Sequence, residues 1–131
     1  MHEERILALA EIIERLPLGA DPWHNADKQP AFGMGQFQYH CGSPSCIAGW
    51  ADHLAYKERI VLKECGVTGR AKEYLGIGAG TAEELFLASR TRFPISTLSP
   101  KAAAWCLRNL VETGRVAWTK AVEATKDAVA A

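Results

Sequence analysis

The chain lacks a charge excess, a long apolar run, an internal repeat and a second cysteine pair, and each absence removes a class of function. Fifteen basic residues are matched by fifteen acidic ones, so no overall field draws the protein to nucleic acid or an anionic membrane. No stretch reaches the ~20 apolar residues that a membrane helix needs. The opening Met1-His2-Glu3-Glu4-Arg5 is acidic where a signal peptide is basic. A cytoplasmic protein is therefore expected, and in that compartment the four cysteines read as thiols or metal ligands before disulfides.

What is present fits an ordinary globular domain. At 131 residues, 48% hydrophobic and 23% charged, the chain is long enough for one real core and too short for two. Residues 1–65 carry six basic and nine acidic groups (−3), and residues 66–131 carry nine and six (+3). So mild a dipole selects no partner.

Helical periodicity dominates. Over residues 3–16, Ile6, Leu9, Ile13 and Leu16 form one stripe, widened by Leu7, Ala10 and Ile12, and Pro17 stops the helix. A second helix is predicted from Pro44, with Ser43 as N-cap, to Tyr56 or Lys57. Its core face is Ile47, Trp50, Ala51, Leu54 and Ala55, and Cys46, Gly49, His53 and Lys57 follow a polar edge. Residues 58–68 are ambiguous. A short helix is expected over Arg70–Leu75, closed by Gly76, and another is opened by a Thr81/Glu84 capping box. Ser99-Pro100 starts a helix burying Ala103, Cys106, Leu107, Leu110 and Val111 and ending at Gly114. A last one spans about Ala117 to Val129 and frays over residues 124–131.

Residues 17–43 resist assignment. Gly and Pro are scattered among Trp23, Phe32, Met34, Phe37 and Tyr39, and so long a connection usually means a functional loop or a hidden short element. Aromatics pinning an Ω-like loop to the core is the favoured reading. A short hairpin pairing Phe32–Met34 with Phe37–Tyr39 is the alternative.

Chemistry concentrates at His40-Cys41-Gly42-Ser43-Pro44-Ser45-Cys46-Ile47-Ala48-Gly49-Trp50. A thiol at Cys46, in the first helical turn, would sit at the positive end of the helix dipole, which lowers its pKa. His40 or His24 could approach as a base. Zinc could take His40, Cys41, Cys46 and His53, but Cys-x4-Cys is wide for a structural pair. Cys46 and His53 also lie about 10 Å apart along a helix. The bland reading outweighs both: Cys41 and Cys46 pack as small residues, unless they form a disulfide. Gly42 then supplies an unusual dihedral, and Gly49 allows something to approach closely.

Two further readings concern surfaces. Residues 70–90 mimic a helix-turn-helix in which Arg70, Lys72, Arg90 and Arg92 could reach phosphates. Glu83 and Glu84 stand where DNA would lie, so nucleic acid is disfavoured. Trp105 beside Arg108 has the composition of an interface anchor, opposite the core stripe of its helix. Trp23, Phe32 and Phe37 in the long loop are further partner-contact candidates.

The block from Cys41 to Ala51, with Leu75-Gly76, Leu85-Phe86 and Asn109–Trp118, resembles a family of short uncharacterised bacterial and phage proteins. The resemblance spans roughly residues 37–118, with serine at position 43 where the family usually has threonine. It implies a prokaryotic or phage intracellular setting and carries no activity, cofactor or site residue. In that setting, small helical proteins often bind a host or self protein, for example as inhibitors of defence systems.

The expectation is thus an irregular all-α single domain over residues 1–131, with five or six helices and a long ordered N-terminal loop. A non-enzymatic protein-binding module is the expected function, with self-association left open and no membrane contact. A zinc or reactive-thiol site at Cys41 and Cys46 is the opposing reading.

Overall fold

A computed structural model describes residues 1–88, 91 and 93–130, with the side chains of 127–130 outside that description. The described residues form six α-helices: α1 (Glu3–Glu14), α2 (Ile47–Lys57), α3 (Gly66–Leu75), α4 (Ala79–Leu87), α5 (Pro100–Thr113) and α6 (Trp118–Ala130). A single turn of 3-10 helix, Ile95–Thr97, precedes α5. There is no strand among them. The chain is one all-α domain.

Local chemistry explains most boundaries. Ser99 caps α5 by accepting from the Ala102 N–H at 3.1 Å, with Pro100 in the first turn. α3 starts earlier than predicted, at Gly66, and α4 starts at Ala79 with Gly78 as its N-cap. The Thr81/Glu84 capping box therefore falls inside a helix already begun. Of the segment 124–131 expected to fray, the backbone is helical through Ala130, and the side chains of 127–130 and residue 131 lie outside the described residues.

α1 packs on α5, α2 on α3, and α6 on α5. The apolar stripe of α1 buries Ile6, Leu9, Ala10 and Ile13, and α5 contributes Ala103, Cys106, Leu107 and Leu110. Each large aliphatic so buried contributes about 2 kcal/mol from apolar area. The start of α1 is tied to the end of α3 by His2 N–H to Leu75 O (2.9 Å) and Arg5 Nη1 to Tyr74 O (2.9 Å). Trp118 Nε1 donates to Glu84 O at 3.0 Å and links α6 to α4.

The alternative hairpin of Phe32–Met34 with Phe37–Tyr39 does not form. Phe32 bridges to Leu18 in parallel, and Gln38 to Pro44 in antiparallel. Phe32 N–H donates to Pro17 O (2.9 Å), Gly19 N–H to Phe32 O (2.8 Å) and His40 N–H to Pro22 O (3.0 Å). Each end of the presumed hairpin has found a different partner, because burying Phe32 completely needs the chain returning from α1 beside it. Ala26, Ala31 and Tyr39 form a small core of their own, and Tyr39 donates its hydroxyl to Gly19 O at 2.6 Å. The long segment is an ordered loop laid over α2.

Candidate functional site

The junction between that loop and α2 is built around two backbone approaches. Ser45 is fully buried. Its hydroxyl donates to Gly33 O (2.7 Å) and accepts from Gln36 Nε2 (2.7 Å), while its N–H donates to Phe37 O (3.0 Å). The same Phe37 carbonyl lies directly over Gly49, where an added Cβ would overlap it. What packs against Gly49 is the protein's own loop.

This geometry changes the reading of the cysteine block. α2 begins at Ile47, and its N-cap is Cys46, whose Sγ accepts from the Gly49 N–H at 3.4 Å. Ser43, predicted as the cap, spends its hydroxyl on Asp27 Oδ1 (2.9 Å) across the loop. Cys46 is buried, and burial raises its thiol pKa more than the backbone N–H groups around it lower it. The activated thiol expected at the helix dipole is a protonated capping group.

Cys41, not Cys46, has the lowered pKa. It is exposed, and the Ser43 backbone N–H, ahead of that of Ala26, favours its thiolate. Neither proposed imidazole is hydrogen-bonded to a thiol among the described residues; the Cys41 thiol donates instead to the His24 backbone carbonyl at 3.9 Å. His24 Nε2 is bonded to Gln29 O at 2.8 Å, and His40 lies flat on Trp23, ring centroids 3.7 Å apart and planes at 7°. His53 meets the edge of Trp50 instead. Among the described residues no three His, Cys, Asp or Glu side chains stand where they could share a metal ion, so His40, Cys41, Cys46 and His53 do not converge. All four cysteines are free thiols, so the Cys41–Cys46 disulfide is absent.

The surface candidates separate as clearly. Phe32 is fully buried and out of any partner's reach in the fold. Trp105 does not stand clear of the core: it is half-buried and packed against it, and its neighbour Arg108 is ion-paired with Glu14 across the α1–α5 seam. Trp23 is 74% exposed on its His40 stack. Phe37 is partly exposed and lines a largely apolar groove of about 770 Å³ with Met34, Phe86, Leu87 and Ile95, beside Gln36 and Ser96. Leu87 and Ile95 went unnoticed in the sequence. The only hint is that Ile95 directly follows the Phe93-Pro94 break.

The helix-turn-helix resemblance has two of its four cations, Arg70 and Lys72, in ion pairs. Arg70 donates twice to Asp52 (2.7 and 3.0 Å), and Lys72 pairs with Glu64 at 3.7 Å. Exposed Glu83 faces solvent in the first half of α4. Arg90 and Arg92 lie outside the described residues.

A second recess, an open cleft of about 560 Å³, runs along the outer face of α2. Gly49, Asp52, His53 and Tyr56 form its floor at helical spacing. The loop at Gln38, Gly42 and Pro44 makes one wall, and Ile60–Leu62 the other. Gly42 holds φ at +92°, the unusual dihedral expected of it. No helix among the described residues is long and apolar enough to cross a membrane. No protein-family model matches the chain, and no curated protein or solved structure matches it.

Proposed function

We propose that this domain is a small protein-binding module that seats an apolar segment of a partner in the groove between residues 34–37 of the loop, α4 and the Ile95–Thr97 turn. One observation carries the reading. Met34, Phe37, Phe86, Leu87 and Ile95 line the groove beside Gln36 and Ser96, with no charged side chain among the described lining residues, although Phe37, Leu87 and Ile95 all reach solvent. Charge depletion and aromatic enrichment are the signature of an interface centre. A run of apolar anchors on one face of a partner helix fits a groove of this size. In the bacterial or phage setting, the partner is a host protein and the module its inhibitor or adaptor.

The opposing Cys/His reading keeps one observation, the lowered pKa of exposed Cys41. It has no hydrogen-bonded base or second ligand to go with it.

The test places a photo-crosslinking phenylalanine analogue at position 37 in bacterial cells. A discrete adduct with another protein, abolished by Leu87→Asp and kept by Tyr56→Ser, is expected. An adduct indifferent to Leu87→Asp, or one of two copies of this chain, overturns the proposal.

A further inference from the structure

The cleft along α2 has a chemistry unlike that of the groove. Asp52 and Arg70 close one side as a bidentate pair, each Asp52 oxygen accepting one Arg70 N–H. The pair cancels its own charge but leaves Arg70 Nη1 without a protein partner among the described residues, held in a fixed orientation by the two bonds beside it. His53, also in the cleft lining, makes an edge contact with Trp50 and no hydrogen bond among those residues. Burial foremost, and then the nearby Lys57 charge, hold its pKa below the ordinary histidine value against the opposing charge of Asp52. The remaining walls, Gln38, Gly42 and Pro44 on one side and Ile60–Leu62 on the other, bear no charge. What the cleft offers is thus the Arg70 guanidinium, held by Asp52, and the His53 imidazole, beside an apolar wall whose central residue, Val61, is 92% exposed. Its volume falls within the range of small-molecule sites.

We infer that the α2 cleft binds a small organic acid, its oxyanion (carboxylate or phosphate) against Arg70 and His53 and its apolar body along Ile60–Leu62. This site is independent of the protein-binding groove, and either can fail without the other.

The test titrates the full ¹⁵N-labelled chain with benzoate, phenyl phosphate and inorganic phosphate at constant ionic strength. Saturable shifts confined to Gly49, the His53 imidazole and Arg70 Nε are expected. The phenyl-bearing probes should bind about tenfold more tightly than inorganic phosphate because of the apolar wall. The tighter of benzoate and phenyl phosphate identifies the oxyanion. The near-isosteric double variant Asp52→Asn, Arg70→Gln should weaken binding about tenfold or more. Val61→Asp, at an exposed position where folding is not at stake, should weaken it by placing a carboxylate on the lip. Shifts that follow ionic strength without saturating, inorganic phosphate binding as tightly as phenyl phosphate, or no loss in Val61→Asp would each overturn the inference.

Discussion

Residues 15–46, before α2, bury Phe32, Tyr39 and Ser45 almost entirely, whereas residues 58–65, after it, leave Val61 almost bare. The two connections flank the same helix and are held by different forces. The first makes its own small core and satisfies its backbone internally, through Ser45, Tyr39 and the chain of N–H to carbonyl bonds around Phe32. The second is tethered by charge. Both Glu73 oxygens accept from Lys63 N–H (2.8 and 3.0 Å), one also accepts from Glu64 N–H (2.9 Å), and Glu58 accepts from the Tyr74 hydroxyl. A long loop can be rigid when it is packed, and a short one can stay accessible when it is merely tied at its ends. The α2 cleft uses this contrast, with the buried loop as one edge and the apolar face left open by the tethered one as the other, whereas the groove takes an edge from the buried loop alone.

The largest effect should come from breaking the close approach on which the packed loop depends. Gly49→Ala puts a methyl group into the Phe37 carbonyl, which backbone on both sides prevents from yielding easily. We expect a loss of about 3 kcal/mol in urea unfolding. Gly35→Ala, in the same loop with nothing near its Cβ, should change stability by less than about 0.5 kcal/mol. Equal effects at the two glycines would show that the loop is not packed as described.

Ser45→Ala comes next. It leaves the Gly33 carbonyl and the Gln36 amide without their buried partner, at a cost of about 2 kcal/mol. Hydrogen exchange should then quicken across residues 31–46 and leave residues 58–65 unchanged. Acceleration of both segments together would mean that they open as one unit.

Much of the fold could be read in the sequence, for a reason these variants expose. α1 and α5 announce themselves because their stripes and stops are local: Ile6, Leu9 and Ile13 before Pro17, and Ser99-Pro100 before an apolar face. Ser43-Pro44 has the same local signature as Ser99-Pro100 and fails, because the Ser43 hydroxyl finds Asp27, sixteen residues away. Competition from a distant partner leaves no trace in the dipeptide. Gly49 could be read as a point of close approach, but not as one occupied by Phe37. Cys46 could be placed at a helix start, but its burial, which reverses the expected pKa shift, depends on a loop that follows no period. The α2 cleft needs Arg70 brought onto Asp52 from another helix, and the groove needs Leu87 and Ile95 brought to Phe37. No spacing encodes either.

For the tethered connection, Glu73→Gln should cost about 1 kcal/mol, since charge-assisted bonds to two backbone N–H groups become neutral ones. Exchange should rise at Lys63 and Glu64 alone. A loss as large as that of Ser45→Ala would erase the distinction between packed and tied segments.

The smallest effect on stability is expected at Cys41, and it separates the two thiols of one short block. Cys41→Ser removes an exposed side chain and should shift stability by less than about 0.5 kcal/mol. Its reactivity is another matter. Alkylation needs the thiolate; the Cys41 pKa is lowered, so its thiolate fraction at neutral pH exceeds that of an ordinary cysteine and grows as pH rises. Burial raises the pKa of Cys46 and pushes that of Cys106 up to about 12, so both should be alkylated about a hundredfold more slowly or less under native conditions, as mass spectrometry of iodoacetamide-treated protein would show. Gly49→Ala then joins the ends of the comparison. If the Phe37 carbonyl is what seals Cys46, that variant should raise Cys46 labelling while leaving Cys41 and Cys106 unchanged. Unchanged Cys46 labelling in a destabilised Gly49→Ala protein would mean that the thiol is sealed by α2 packing alone, and that the loop lies over the helix without closing it.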